Sequence, residues 1–178
     1  MSELEKIVLT DRSYLSQKRK GQMYARAIDK FEEHYANKDF LSSFVICLSL
    51  LEDIIRSTFF NIKLLNKEYT VRQRRERVDY YYNNYGGKRF LTIKDILFYL
   101  KEEKVFYNEK LKPRGELKKI ISLFTKRNKI IHESMWNINA LNSKHYDEVY
   151  DQFNIIKQYH YISERELKKK GIRFRSNG

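Results

Sequence analysis

The stretch "FLSSFVICLSLLEDIIRSTFFN" (residues 40–61) decides the fold. Wound at 3.6 residues per turn, it is apolar on nearly every side, so as a helix it has little face to give to water. Its longest mainly apolar run, "FVICLSLL", is far too short to span a bilayer. Asp39 stands just before it, where a carboxylate can cap the first turn. A helix of this kind has to lie at the centre of a domain, with other helices packed around it.

The flanking sequence supplies those helices. Residues 17–36 place Tyr24, Ile28, Phe31 and Tyr35 on one face, and "NKD" (37–39) interrupts the pattern. "TVRQ" (70–73) reads as a capping box opening a very basic helix, with Val71, Val78 and Tyr82 inward. "YYYNNYGG" closes that helix at Gly86 and Gly87. "TIKD" (92–95) opens another, running to about Glu103, and "NEKLKPRG" (108–115) is the clearest loop. Leu117, Ile120, Ile121, Phe124 and Ile131 then mark a fifth helix. Asn142 or Ser143 can cap a long last one, which Gly171 ends. No segment alternates with period two, and no internal repeat is present. The expectation is an all-α fold, a single helical bundle of five or six helices. Residues 1–16 form an N-terminal extension, 17–170 the helical domain and 171–178 a basic, frayed tail.

Composition narrows the chemistry. A chain of 178 residues is large enough for one sizeable core. Lys+Arg 36 against Asp+Glu 23 gives a formal net charge of +13, which draws anions and suits nucleic acid or acidic surfaces as well as a solubilising role. The chain is rich in rings, Tyr 14 and Phe 11, most of them for the core and some for stacking on bases. A lone cysteine, Cys47, cannot form an internal disulfide and suits a reducing compartment. One Cys and four scattered His offer no zinc spacing, so neither a metal nor another cofactor is expected. The first twenty residues lack an apolar core of signal-peptide length. The reading is a cytoplasmic protein with no membrane association.

One short motif carries chemistry. In "FTKRNKIIHESMW" (124–136), Asn128 and His132 are four apart and share a helical face. Arg127 and His132 are five apart, about 140° around an ideal helix. Imidazole moves protons near neutral pH, and a guanidinium forks onto phosphate oxygens and stabilises charge developing there. Arg-x4-His arises by chance in about one such chain in three, and the Asn after the Arg lowers that to roughly one in fifty.

Arg127-Asn128-Lys129-Ile130-Ile131-His132 resembles the Arg-Asn-x3-His form of the Arg-x4–6-His motif of the HEPN superfamily. The likeness in helix order and size extends over roughly residues 17–165. It implies a small all-α bundle, and a metal-independent endoribonuclease of the kind found in toxin, abortive-infection and CRISPR systems. RNA is then the substrate, and cleavage proceeds through its own 2′-OH. The resemblance further implies a homodimer with a composite site, and an antitoxin or regulatory partner is possible. It gives His132 the acid–base role, Arg127 the phosphorane charge, and Asn128 the task of holding the histidine or a phosphate oxygen. A helix facing the motif in many members carries an acidic or polar residue, and "SLLEDIIRSTF" offers Ser49, Glu52, Asp53 and Arg56 as one polar stripe. Glu52 or Asp53 can orient Arg127 or His132, or Glu52 can simply pair with Arg56 at i, i+4. One toxin branch has tyrosine two residues after the histidine, where this chain has Ser134, which argues against that branch and its regulation.

Substrate contacts are expected from Arg72, Arg74, Arg75, Arg77, Lys88 and Arg89, interleaved with tyrosines in 71–90, and from Lys126 and Lys129. Lys168, Lys169, Lys170, Arg173 and Arg175 can add non-specific affinity. Trp136 is expected to pack the end of the fifth helix, with stacking on a base as the lesser alternative. The alternative reading is a catalytically inactive HEPN-like RNA- or protein-binding module. A DNA-binding protein with 114–132 as recognition helix is weaker, because those apolar positions are needed for the core.

Overall fold

The computed structural model describes residues 17–68, 70, 91–108, 111–137 and 141–172. Within them the chain forms six helices and no strand: α1 (Gln17–Ala36), α2 (Phe40–Leu65), α3 (Ile93–Leu100), α4 (Lys104–Tyr107), α5 (Pro113–Trp136) and α6 (Ser143–Lys169). The architecture is an all-α bundle. Helix α2 is its axis, lying along α6 and touching α1 and α3, while α5 packs on α3 and α6. Phe44, Leu51, Ile55 and Phe60 of α2 are wholly inaccessible, as are Val149 and Ile156 of α6. Each such side chain contributes about 1.5–3 kcal/mol by leaving water.

Local chemistry sets the helix ends. The Asp39 carboxylate accepts the Ser42 amide at 3.1 Å. Thr92 and Asp95 exchange reciprocal capping bonds at the start of α3, and Asn142 accepts the Lys144 amide at 3.0 Å to open α6. Gly171, at φ +70°, turns the chain out of α6. Lys38 and Lys67 adopt the same left-handed backbone after α1 and α2, at φ 61° and 60°, without the glycine that usually sits there.

Several boundaries differ from the sequence reading. Helix α2 continues to Leu65 rather than stopping near residue 61, because Ile62, Leu64 and Leu65 are all buried. Lys63 is buried with them, its ammonium 4.0 Å from the centre of the Tyr99 ring and paired with Glu68. Helix α3 ends at Leu100 instead of Glu103, and the short α4 follows. Helix α5 begins at Pro113, inside the stretch expected to be loop, because proline fits the first helical turn. The basic helix expected from Thr70 to Gly87 lies outside the described residues apart from Thr70 itself, as do 1–16 and 173–178. No helix among the described residues is long and apolar enough to cross a membrane.

The seam between α2 and α6 is polar as well as apolar. Thr58 Oγ1 donates to the Ile54 carbonyl at 2.8 Å, so His160 Nδ1, 3.2 Å away, has to donate to Thr58. Asn61 Nδ2 donates to Ser163 Oγ at 3.0 Å and to Glu164 Oε1 at 2.9 Å. Ser163 passes its own proton to the His160 carbonyl at 2.7 Å. Thr58, Asn61, His160, Ser163 and Glu164 are all buried, and this mutual pairing offsets the cost of their desolvation.

Candidate functional site

Helix α5 buries Leu117, Ile120, Leu123, Phe124 and Ser134. At 100° per residue, Arg127 falls within that inner sector, and its guanidinium points at α2. There Arg127 Nη1 lies 3.2 Å from Glu52 Oε2. The other oxygen of Glu52 receives Arg56, with Nη2 at 2.8 Å and Nε at 3.2 Å. One carboxylate therefore holds two arginines, and both contacts considered for Glu52, with Arg127 and with Arg56, are present. The guanidinium of Arg127 also sits 5.3 Å from the centre of the Phe124 ring. Arg127 and Glu52 are 36% and 31% exposed, so their pair adds at most about 1 kcal/mol to stability. Its consequence is positional: Arg127 is fixed against α2, and two guanidinium charges face one carboxylate. Asp53 is half-buried beside Glu52. Ser49 turns back to the Val45 carbonyl at 2.9 Å and takes no part.

The rest of the motif faces outward. Asn128 and His132 are exposed, and neither has a hydrogen-bond partner among the described residues. Lys126 and Lys129 are exposed too, with Lys129 Nζ 3.6 Å from Glu133. Within one chain Arg127 and His132 thus occupy different sides of α5, as the five-residue spacing requires. Trp136 does not pack the helix end: it is 90% exposed, with Met135 beside it at 70%. Its helical phase explains this, because residue 136 lies about 140° from the sector holding Ile120 and Phe124, averaging their positions.

Arg72, Arg74, Arg75, Arg77, Lys88, Arg89, Arg173 and Arg175 lie outside the described residues. Lys168, Lys169 and Lys170 are exposed at the end of α6, where Lys169 pairs with Glu166 at 2.7 Å and Lys170 donates to the Leu65 carbonyl at 3.0 Å. His34, at the end of α1, pairs with Asp39 at 3.0 Å. Sequence reasoning gave His160 no role, yet it is a buried member of the α2–α6 seam. Its partner lies 102 residues away, so no local signal could reveal it. Burial pushes the Cys47 thiol up to about 12, which leaves it protonated and inert as a nucleophile. It borders a mainly apolar cavity of about 100 Å³ between α1, α2 and α6. Among the described residues no group of three or more His, Cys, Asp or Glu is arranged to hold a metal ion.

Compared with known proteins, the chain matches no family model, no curated protein and no solved structure.

Proposed function

We propose that the protein is a metal-independent endoribonuclease of HEPN type, acting in toxin or antiphage defence. The observation that carries the reading is the contact between Glu52 and Arg127 across two helices, which fixes one motif residue while His132 stays open to solvent. An arginine held in this way is prepared for a phosphate without first being ordered.

In the proposed reaction a histidine takes the proton of the ribose 2′-OH, and O2′ attacks the adjacent phosphorus. Arg127 stabilises the negative phosphorane, with Asn128 hydrogen-bonded to a phosphate oxygen or to the imidazole. The P–O5′ bond then breaks and the leaving oxygen receives a proton. The products are a 2′,3′-cyclic phosphate and a 5′-hydroxyl. Base and acid act on opposite sides of phosphorus, and Arg127 and His132 diverge on α5. A homodimer that opposes two copies of the motif meets both demands. Lys126 and Lys129 supply phosphate contacts along α5, and Arg72, Arg74, Arg75, Arg77, Lys88 and Arg89 extend them. The same reading places the enzyme in the cytoplasm, under an antitoxin or other regulatory partner. The second reading, an inactive RNA- or protein-binding module, draws on that divergence of Arg127 and His132 in a single chain.

The test is RNA cleavage with EDTA present, comparing wild type, His132→Ala and Arg127→Ala at equal folded concentration. Cleavage leaving cyclic-phosphate ends, reduced about 10²–10⁴-fold by His132→Ala, is the expected result. RNA left uncut by wild type, or cut equally by the variants, overturns the nuclease and favours the binding module. A monomer at assay concentration, with cleavage intact, overturns the composite site alone.

A further inference from the structure

We propose that Trp136 is a stacking subsite for an unpaired nucleobase next to the phosphate handled at His132; the choice of nucleic acid as ligand rests on the function proposed above. Trp136 is the single tryptophan of the chain and is 90% exposed. An indole left in water forgoes the largest apolar burial any side chain can make. Its location gives the exposure a use. Trp136 follows His132 by four residues, about 6 Å along the helix and about 40° around it. Asn128, His132, Met135 and Trp136 fall within about 100° of arc, all of them exposed. Lys129 stands at the edge of the same stripe. A phosphate at His132 would therefore have a cation beside it and a flat aromatic surface one helical turn away.

That combination suits a single-stranded nucleic acid. Every base has a π-face, and successive nucleotides offer a phosphate and then a base. A formal net charge of +13 favours the same polyanion. A second copy of the chain, even in a dimer that opposes the two motifs, is a poorer cover for the Trp136–Met135 end of this surface. A tryptophan offers at most about 250 Å², and with Met135 the apolar patch reaches about half of the roughly 800 Å² per partner of a stable interface. Around it lie Asn128, Glu133 and Asn137, all polar and exposed.

The single tryptophan makes the test direct, since intrinsic indole emission reports position 136 alone. The probe is a short single-stranded 2′-deoxy oligonucleotide, which lacks the 2′-OH nucleophile and so is not cut by this mechanism. The full-length wild-type chain is titrated with it, and with an abasic oligomer of equal phosphate number. Saturable quenching by the base-bearing probe, and little by the abasic one, is expected. Measured by anisotropy of a labelled probe, Trp136→Ala should weaken binding roughly 5- to 150-fold, the range of one lost base–aromatic stack. Trp136→Phe, which keeps an aromatic face, should recover most of it. Melting temperatures of both variants should match wild type, because the side chain buries almost nothing. Equal quenching by the abasic oligomer, or undiminished binding by Trp136→Ala, overturns the subsite. An emission that shifts with protein concentration and then no longer responds to the base-bearing probe overturns it too, by placing a second copy over the indole. Base-dependent quenching in a protein that cuts no RNA would support the subsite while overturning the nuclease.

Discussion

The seam between α2 and α6 and the outer face of α5 carry the same kinds of side chain under opposite conditions. Each has a histidine and an asparagine on one helix or on the pair that forms it. At the seam, His160 and Asn61 are buried and each bonds across to the other helix. On α5, His132 and Asn128 are exposed and have no partner among the described residues. A polar group that desolvation has forced into a network is committed to holding helices together. One that remains solvated at little cost is open to a ligand. Residue type alone does not separate structure from function here; the presence or absence of a partner does.

The largest expected effect tests the committed side. Asn61→Ala removes a donor from buried Ser163 and Glu164, and should cost about 2–3 kcal/mol. For a domain of this size that lowers the melting temperature by about 4–12 °C. Asn128→Ala, the same substitution on the solvated side, should stay within about 0.5 kcal/mol. Thermal melts of the two variants side by side decide it, and equal losses would erase the distinction between the regions.

Glu52 stands between the two, half-buried yet touching the motif, and its expected effect is smaller. Glu52→Gln keeps the shape but removes the charge shared by Arg56 and Arg127. Cleavage per folded molecule should fall about tenfold, equivalent to about 1.4 kcal/mol of barrier. The loss should appear in kcat, with KM little changed, because Arg127 is still present but less firmly placed. Arg56→Gln leaves the Glu52–Arg127 bridge in place and should cost less. If Glu52→Gln instead lowers the melting temperature as much as Asn61→Ala and leaves kcat intact, Glu52 belongs with the seam.

Much of this contrast was legible in the sequence, and the illegible part has a physical cause. The caps at Asp39, Thr92 and Asn142 and the stop at Gly171 act through neighbours within a few residues, so local pattern finds them. The buried end of α2 is hidden from local pattern, because Lys63 looks like a surface residue until Tyr99 and Glu68 come round to meet it. The Arg127–Asn128–His132 motif was visible as a string, and the divergence of Arg127 from His132 followed from helical phase. Phase also places Trp136 outside the core, about 140° from Ile120 and Phe124, against the expectation that it packs the helix end. The Glu52–Arg127 contact spans 75 residues, and sequence could frame it only as one of two possibilities.

The smallest effect concerns acid, where the sign of each shift fixes the outcome. Hydrogen bonds from the Ser42 hydroxyl and amide hold the Asp39 carboxyl below its ordinary range. For Glu68, burial pushes upward, but bonds from Lys63, Tyr99 and Asn66 outweigh it and leave the carboxyl lowered. A carboxylate lowered in the folded state is protonated first in the unfolded chain as pH falls. Its stabilisation is therefore complete above about pH 5 and declines below about pH 4, toward the folded values. Glu68 is 42% exposed, so its share is under about 1 kcal/mol. Denaturant midpoints for wild type and Glu68→Gln at about pH 6 and about pH 3 should show a smaller acid-induced loss in the variant. Glu133, bridged to Lys129 at 3.6 Å on the open face of α5, is the control. Its removal strips only a solvated pair, while protonating Glu68 leaves the buried Lys63 ammonium with aromatic rings alone. If Glu133→Gln reshaped the acid dependence as much as Glu68→Gln, burial would not be what separates the two regions.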